Sequence, residues 1–245
     1  EEEAIDKVTL ESIQNAYNTL IHGSRIVVSF MSDLDHEIAH QKLTSSLQLT
    51  STSSTIEPLF RYDFTEKEAI KEALDVTQNR IFMAYKTGTY MKDKDYFSTL
   101  VLNALLGEGS DSLLFKAVRE EASLAYYVHS SYSPFTGLIT ITSGMNEANS
   151  KRGRALMEET ISRIQNGDFT DDDLQLAKTH LLTNLKQSYD HPMSLSLKAL
   201  RYVLYEVPFD EATWIQSLEN VMNDDVIQNA KAMKKIFVYE LGRTL

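Results

Sequence analysis

The stretch that decides the fold is Leu105–Gly137, LLGEGSDSLLFKAVREEASLAYYVHSSYSPFTG. Gly107 and Gly109 provide the backbone freedom that ends a first helix. Ser110 or Asp111 can then cap a second helix, because short polar side chains accept hydrogen bonds from the first amides of a helix. The apolar positions of that second helix form one stripe, consisting of Leu113, Leu114, Ala117 and Val118. The stretch therefore predicts two consecutive helices around a glycine break.

Strands and further helices lie on both sides of this break. Runs rich in Tyr and Val favour strands, and apolar residues at helical spacing favour helices. A few strands mixed with paired helices predict an α+β fold, an antiparallel-rich sheet covered on one face by helices. The predicted elements are an extended segment at Val76–Lys86, a helix at Asp93–Leu106, strands at Leu124–Ser131 and Leu138–Gly144, a helix at Ser150–Gln165, and a last strand at Ile236–Glu240.

A helix start is also predicted after the central stretch. Thr170 followed by Asp173 is typical of a capping box, in which each residue bonds the backbone of the other. Acidic residues in the first turn favour the helix as well, because they complement its dipole. The expected buried face of this helix is Leu174, Ala177, Leu181 and Leu185.

Four short motifs follow one another in the central stretch: Leu106-Gly107, Ser112-Leu113-Leu114-Phe115, Arg119-Glu120 and Ser123-Leu124-Ala125-Tyr126. Their order and spacing resemble the C-terminal-type module of the M16 zinc metallopeptidases, the family of pitrilysin, insulinase and mitochondrial processing peptidase. The resemblance implies an M16/LuxS-like metallohydrolase module. Ser123 departs from the family pattern, which usually has glycine there, and this departure puts the geometry of the turn in question.

The N-terminal part resembles the closing segment of a preceding M16 module. It predicts an amphipathic helix with Ile13, Tyr17 and Leu20 on one side, a strand at Ser24–Met31 and a helix that ends near Leu47. Five consecutive Ser or Thr residues follow at 51–55, with Pro58 shortly after, which is typical of a linker. The predicted organisation is a closing segment at 1–50, a linker at 51–72 and a C-terminal module at 73–245. The first half of the preceding module would then lie outside this chain.

Composition excludes several classes of function. The chain has 245 residues and a formal net charge of −11, which argues against nucleic acid or an anionic membrane as a partner. It has no cysteine, so disulfides and thiolate metal sites are excluded, and this suits the cytoplasm. No apolar run has the length of a transmembrane helix. We therefore predict a cytoplasmic protein without nucleic-acid or membrane partners.

His36-Glu37-Ile38-Ala39-His40 is a literal H-E-x-x-H. On a helix it would place two imidazoles one turn apart, with Glu37 as a general base beside a zinc ion. No third ligand stands out downstream, and a solvated helix start explains the same residues. The M16 family uses the inverted order H-x-x-E-H, which no histidine begins here. We interpret His36, Glu37 and His40 as coincidental and expect no metal site in this chain, with a true H-E-x-x-H zinc peptidase as a weaker alternative.

Arg119 and Tyr126 are the predicted substrate-binding residues. They match positions that, in M16 peptidases, hold the substrate backbone and stabilise the oxyanion from the half without metal. A guanidinium and a phenol can both donate hydrogen bonds to developing negative charge. The alternative is structural: Arg119 as a helix-end cation and Tyr126 as a core residue of a strand.

The sequence therefore predicts the C-terminal substrate-binding half of an M16-like zinc-dependent peptidase. The resemblance implies a chamber wall that takes an unfolded peptide as an added strand. Zinc and the catalytic residues would come from the N-terminal half or from an M16 partner subunit, and this chain alone would be inactive. The alternative is a non-catalytic M16-like scaffold or partner subunit.

Overall fold

The computed structural model describes residues 2–23, 26–47 and 63–243. Its strands form one five-stranded sheet within these residues, in the order β1-β5-β2-β4-β3. The pairs β5–β2, β2–β4 and β4–β3 are antiparallel, and only the β1–β5 pair is parallel. The strands are β1 (Ile70–Leu74), β2 (Asn79–Lys86), β3 (Ala125–Ser133), β4 (Leu138–Met145) and β5 (Lys234–Arg243).

Some helices form a layer on the sheet, and the others belong to a unit made of N-terminal residues and residues 191–204. The central stretch contributes a π-helix, Phe115–Glu121, rather than the expected α-helix. The α-helices are α1 (Glu2–Ile5), α2 (Leu10–Gly23), α3 (His36–Leu47), α4 (Tyr96–Gly107), α5 (Glu147–Gln165), α6 (Asp171–Ser188), α7 (Pro192–Tyr205), α8 (Glu211–Glu219) and α9 (Asn223–Ala232).

One face of the sheet is buried under helices. Side chains at alternate strand positions, such as Met83, Ile139 and Ile141, are fully buried and join a core with helix residues such as Leu105. The residues between them, such as Phe82, stay partly exposed on the opposite face. This arrangement confirms the predicted α+β fold with a mostly antiparallel sheet covered on one face.

The chain divides into two units. One unit comprises Glu1–Phe60 with His191–Leu204, and the other comprises Arg61–Asp190 with Tyr205–Leu245. The sheet and its helix layer lie entirely in the second unit. The predicted division into 1–50, 51–72 and 73–245 stays a prediction, and most of the predicted linker lies outside the described residues.

One prediction for the N-terminal part differs from the structure. The strand expected at Ser24–Met31 is wrong where it can be followed, because residues 26–32 have no regular secondary structure. Within the described residues, no strand pairs with 26–31. The predicted amphipathic helix forms as α2, and its apolar side, including Ile13, Tyr17 and Leu20, is more than half exposed.

A close backbone approach in the core joins α4 to β3. A Cβ atom on Gly107 would lie 2.6 Å from the backbone nitrogen of Ser130. The hydroxyl of Ser130, itself buried, donates to the side-chain oxygen of Asn103 at 2.9 Å, and the amide of Asn103 donates to Glu108 at 2.9 Å. Gly107 therefore serves close packing in addition to ending the helix, which is the role that its sequence position suggested.

The segment between α4 and β3 contains the main local corrections. Neither Ser110 nor Asp111 caps a helix, because the π-helix follows Leu114 without a side-chain cap. Ser123 has a φ of +51°, the left-handed region that glycine favours. The turn therefore keeps the backbone conformation that glycine would adopt, although the residue is serine. The departure from the family pattern strains the backbone at Ser123 and does not change the turn.

We expect Gly107→Ala to lower the free energy of unfolding by about 1–3 kcal/mol, because the added methyl group overpacks a backbone contact. Chemical denaturation followed by circular dichroism measures this. Gly242→Ala is the matched control, since its Cβ would meet no atom closer than 3.7 Å. Equal destabilisation by both variants would contradict the close-packing role of Gly107.

We expect Ser123→Gly to raise the free energy of unfolding by about 0.5–1 kcal/mol, because glycine relieves the left-handed strain and loses part of that gain through a more flexible unfolded chain. The same denaturation assay applies. Ser123→Ala keeps the Cβ atom and should bring no gain. A stability increase for alanine equal to that for glycine would show that the backbone is not the cause.

Candidate peptide-binding surface

The π-helix places Arg119 on the surface. The wider turn of this helix keeps Ala117 and Val118 buried, while Arg119 near its end is exposed. The guanidinium carbon of Arg119 lies 4.7 Å from the ring centroid of Phe115, which fits a cation–π contact. Short π-helical segments occur frequently at functional sites. The guanidinium is therefore held over an aromatic ring with its edge available for hydrogen bonds.

Tyr126 lies at a β-bulge on the edge strand. The register between β3 and β4 shifts between Ala125 and Tyr127, so Tyr126 is the extra residue without a partner in the ladder. The residue is 72% exposed. The alternative interpretation of Tyr126 as a core residue of the strand is therefore wrong. A bulge directs a side chain away from the regular alternation, and here it presents the phenol to solvent.

The strand β3 is an edge of the sheet, since the described residues pair it only with β4. Beyond the bulge, Tyr127 and His129 lie on the helix-free face, with ring centroids 6.1 Å apart. The ring of Tyr127 covers Gly144 of β4, where a Cβ would come within 2.3 Å of it. The absence of a side chain at Gly144 therefore allows the aromatic ring to lie directly against the neighbouring strand.

The open face of the sheet continues with mixed polar and aromatic side chains. Thr142 of β4 is opposite Phe82 of β2, and Phe82 is opposite Tyr239 of β5. The hydroxyl of Tyr239 donates to Glu72 at 2.7 Å, and this bond raises the pKa of the tyrosine. A surface of this kind combines hydrogen-bonding groups with apolar ring faces, which suits an extended polypeptide.

The structure brings Arg119 and Tyr126 onto consecutive elements of one unit, whereas His36, Glu37 and His40 lie on α3 of the other. The sequence analysis did not identify Tyr127, His129 and Phe82. Alternation along β3 and β2 indicates that such residues share one face of the sheet, but it could not show which face the helices cover.

The described residues do not fit a zinc centre. His36 is the first residue of α3, His40 follows one turn later, and both are exposed. Across residues 2–23, 26–47 and 63–243, no group of three or more His, Asp or Glu side chains is arranged to hold a metal ion. The interpretation of the H-E-x-x-H motif as coincidental stays a prediction. In the same ranges, no helix is both long and apolar enough to span a membrane.

Comparisons with known proteins identify the family. The family model described as "Peptidase M16 inactive domain" matches residues 7–181. The chain is 25% identical over 241 residues to a "Probable inactive metalloprotease YmfF" of Bacillus subtilis, covering 98% of this chain and 57% of that protein. It is 24% identical over 194 residues to an "Uncharacterized zinc protease YmxG" of the same organism, covering 77% and 46%.

A solved structure shares the fold. The crystal structure of a peptidase M16 inactive domain from Pseudomonas fluorescens superimposes with a TM-score of 0.78 at 16% identity, covering 99% of this chain and 59% of that one. The chain therefore spans less than two thirds of the length of these relatives. Because the family model matches well over half of its residues, the chain belongs to the M16 peptidase family and contains the domain called inactive in that family.

Proposed function

We propose that this chain is the C-terminal substrate-binding half of an M16-like zinc-dependent peptidase and forms one wall of a peptide-binding chamber. The observation that carries the proposal is the exposed phenol of Tyr126 at a bulge of the edge strand, directly after the exposed Arg119. A core residue at this position could not touch a substrate. An exposed one on an unpaired edge can.

The binding surface consists of the β3 edge and the helix-free face beside it. Unpaired backbone amides and carbonyls along an edge strand can bond an extended peptide as an added strand. Tyr127 and His129 would contact its side chains from the open face. Because main-chain bonds carry no side-chain information, such a surface would accept many unfolded sequences.

Arg119 and Tyr126 would act as hydrogen-bond donors to the peptide backbone. Both side chains donate, and neither has an ion pair or hydrogen bond to another described side chain. In a chamber closed by a catalytic half, the same donors would stabilise negative charge as it develops on the scissile carbonyl. This chain would thus supply binding and charge stabilisation.

The metal would come from a different segment or a partner subunit. The family is related to zinc proteases, and the described residues of this chain do not fit a zinc centre. We place zinc and the catalytic residues in the N-terminal half or in an M16 partner subunit. The absence of cysteine suits a cytoplasmic location, which we keep as part of the proposal.

Residues 1–50 would close a preceding M16-like module. The apolar side of α2 supports this proposal, since Ile13, Tyr17 and Leu20 follow helical spacing and yet remain exposed. A stripe of this kind normally packs against a core. The first part of that module would pack against this stripe. The linker and the module at 73–245 would come next along the chain.

The second candidate is a non-catalytic M16-like scaffold or partner subunit. It is favoured by the relative named as a probable inactive metalloprotease, which matches nearly the whole of this chain. The segment or subunit that pairs with this half discriminates between the two candidates. An intact H-x-x-E-H followed by a distant glutamate would support the peptidase, and a degraded motif would support the scaffold.

We expect the isolated chain to show no zinc-dependent peptidase activity. The reason is that its described residues offer no three-ligand site for the metal. The measurement is cleavage of an unstructured peptide with added zinc and with a chelator. Robust cleavage that the chelator abolishes would contradict the proposal.

In the natural protein or complex that contains the H-x-x-E-H segment, we expect Tyr126→Phe and Arg119→Ala to lower kcat by about 10²–10³-fold, the effect of losing one donor to an oxyanion. Steady-state cleavage of an unstructured peptide gives kcat and KM. Tyr189→Phe and Arg152→Ala are matched controls, because both native residues are exposed and lie outside the π-helix and β3. Unchanged kcat in the site variants of an active complex would refute the proposed role.

A further inference from the structure

The direction of the Tyr126 phenol is set by its own backbone. Within the described part of the chain, the side chain makes no hydrogen bond and no ring contact, and the residue is exposed. An exposed side chain without a partner extends in the direction that its Cα–Cβ bond gives it. The peptide units on either side of the β-bulge therefore decide whether the phenol can reach a bound peptide.

Leu124, two residues before Tyr126, is held through both of its backbone polar groups. Its amide donates to the carbonyl oxygen of Val118 at 2.9 Å, and its own carbonyl oxygen accepts from Nδ2 of Asn149 at 3.2 Å. The first bond connects the chain before β3 to the peptide unit that joins Val118 to Arg119. The second bond connects the same residue to α5. The entry into the bulge is thus fixed from two elements.

Asn149 lies in a part of α5 that is itself fixed. Its amide donates to the carbonyl oxygen of Asn146 at 2.9 Å, within the first turn of the helix. The neighbouring Ser150 hydroxyl accepts from Nδ2 of Asn79 at 3.1 Å, and Asn79 is the buried first residue of β2. The turn that contains Asn149 is therefore tied to β2 as well as to the chain before β3. A side chain on such a turn can hold a distant carbonyl in one position.

The other end of the bulge is fixed by packing. Tyr127 is paired with Gly144 of β4, and its ring fills the space that a side chain of Gly144 would take. Tyr126 thus lies between Leu124 and Tyr127, both of which are held by neighbouring elements. Among these restraints, the side chain of Asn149 can be removed without changing any residue of β3, β4 or the π-helix.

We propose that Asn149 is a positioning residue of the peptide-binding surface, which directs the Tyr126 phenol toward the peptide by holding the carbonyl of Leu124. This inference rests on the proposed function, because it assumes the donor role given there to Tyr126. Asn149 itself does not touch the peptide. Its contribution is geometric, since a displacement of about 1 Å between reacting groups can cost about 10²-fold in rate.

The first test measures the conformation of this chain alone. In Asn149→Asp, a carboxylate of nearly the same shape replaces the amide and cannot donate to the carbonyl of Leu124. We expect the amide resonances of Leu124 to Tyr126 to shift in NMR spectra, and the Leu124 amide to exchange its hydrogen several-fold faster. Asn146→Asp is the matched control, because it makes the same change at the N-cap of α5, where the side chain makes no capping hydrogen bond. Shifts at Leu124 to Tyr126 no larger than in the control would overturn the proposal.

The second test measures coupling to the phenol in the natural protein or complex that contains the H-x-x-E-H segment. We expect Asn149→Ala to lower kcat for an unstructured peptide by about 10–100-fold, with little change in KM. When Tyr126→Phe is already present, the same change should lower kcat by less than about threefold, because no phenol is left to position. A purely structural role would lower kcat by equal factors in both backgrounds, and equal factors would refute the positioning role.

Failure of this inference is distinguishable from failure of the proposed function. An active complex in which Tyr126→Phe leaves kcat unchanged would contradict the proposed function. A complex in which Tyr126→Phe lowers kcat but Asn149→Ala does not would contradict the positioning role alone.

Discussion

The contact between α4 and β3 is the constraint on which the rest of the sheet unit depends. It is possible only because Gly107 has no side chain where it meets the backbone of Ser130. The bonds from Ser130 to Asn103 and from Asn103 to Glu108 satisfy the polar groups that this approach buries. With α4 fixed on β3, the chain between them has a set length and set ends. The π-helix and the left-handed turn at Ser123 span the distance between the end of α4 and the start of β3.

This geometry explains why the candidate site lies where it does. The π-helix adds residues per turn, so it can bury Ala117 and Val118 and still expose Arg119 at its end. The bulge then adds one residue to β3 and leaves Tyr126 out of the regular alternation. Two irregularities in succession thus place two donors on the surface. Irregular backbone of this kind is found at functional sites more often than elsewhere, since regular packing would bury the side chains.

The two units differ in whether apolar residues at helical spacing are buried. In the sheet unit, apolar residues at helical spacing are buried, as with the face of α6 that includes Leu174 and Leu181. In α2 the same kind of pattern remains exposed. An amphipathic pattern shows that a helix has a side to bury, but the cover can belong to another part of a larger assembly. This fits a chain that spans about half the length of its relatives.

Local chemistry was sufficient for most elements. The capping box formed as expected, with the amide of Asp173 donating to Thr170 at 3.1 Å and the amide of Thr170 donating to Asp173 at 3.0 Å. The sequence by itself determined the α+β class, the family resemblance, the order of elements from β2 to α6 and the last strand, because periodicity, caps and glycines act over a few residues. The tertiary structure alone decided the π-helix, the bulge at Tyr126, the pairing of β1 with β5 and the open face of the sheet. Each of these depends on which distant backbone lies alongside, and no local pattern contains that information.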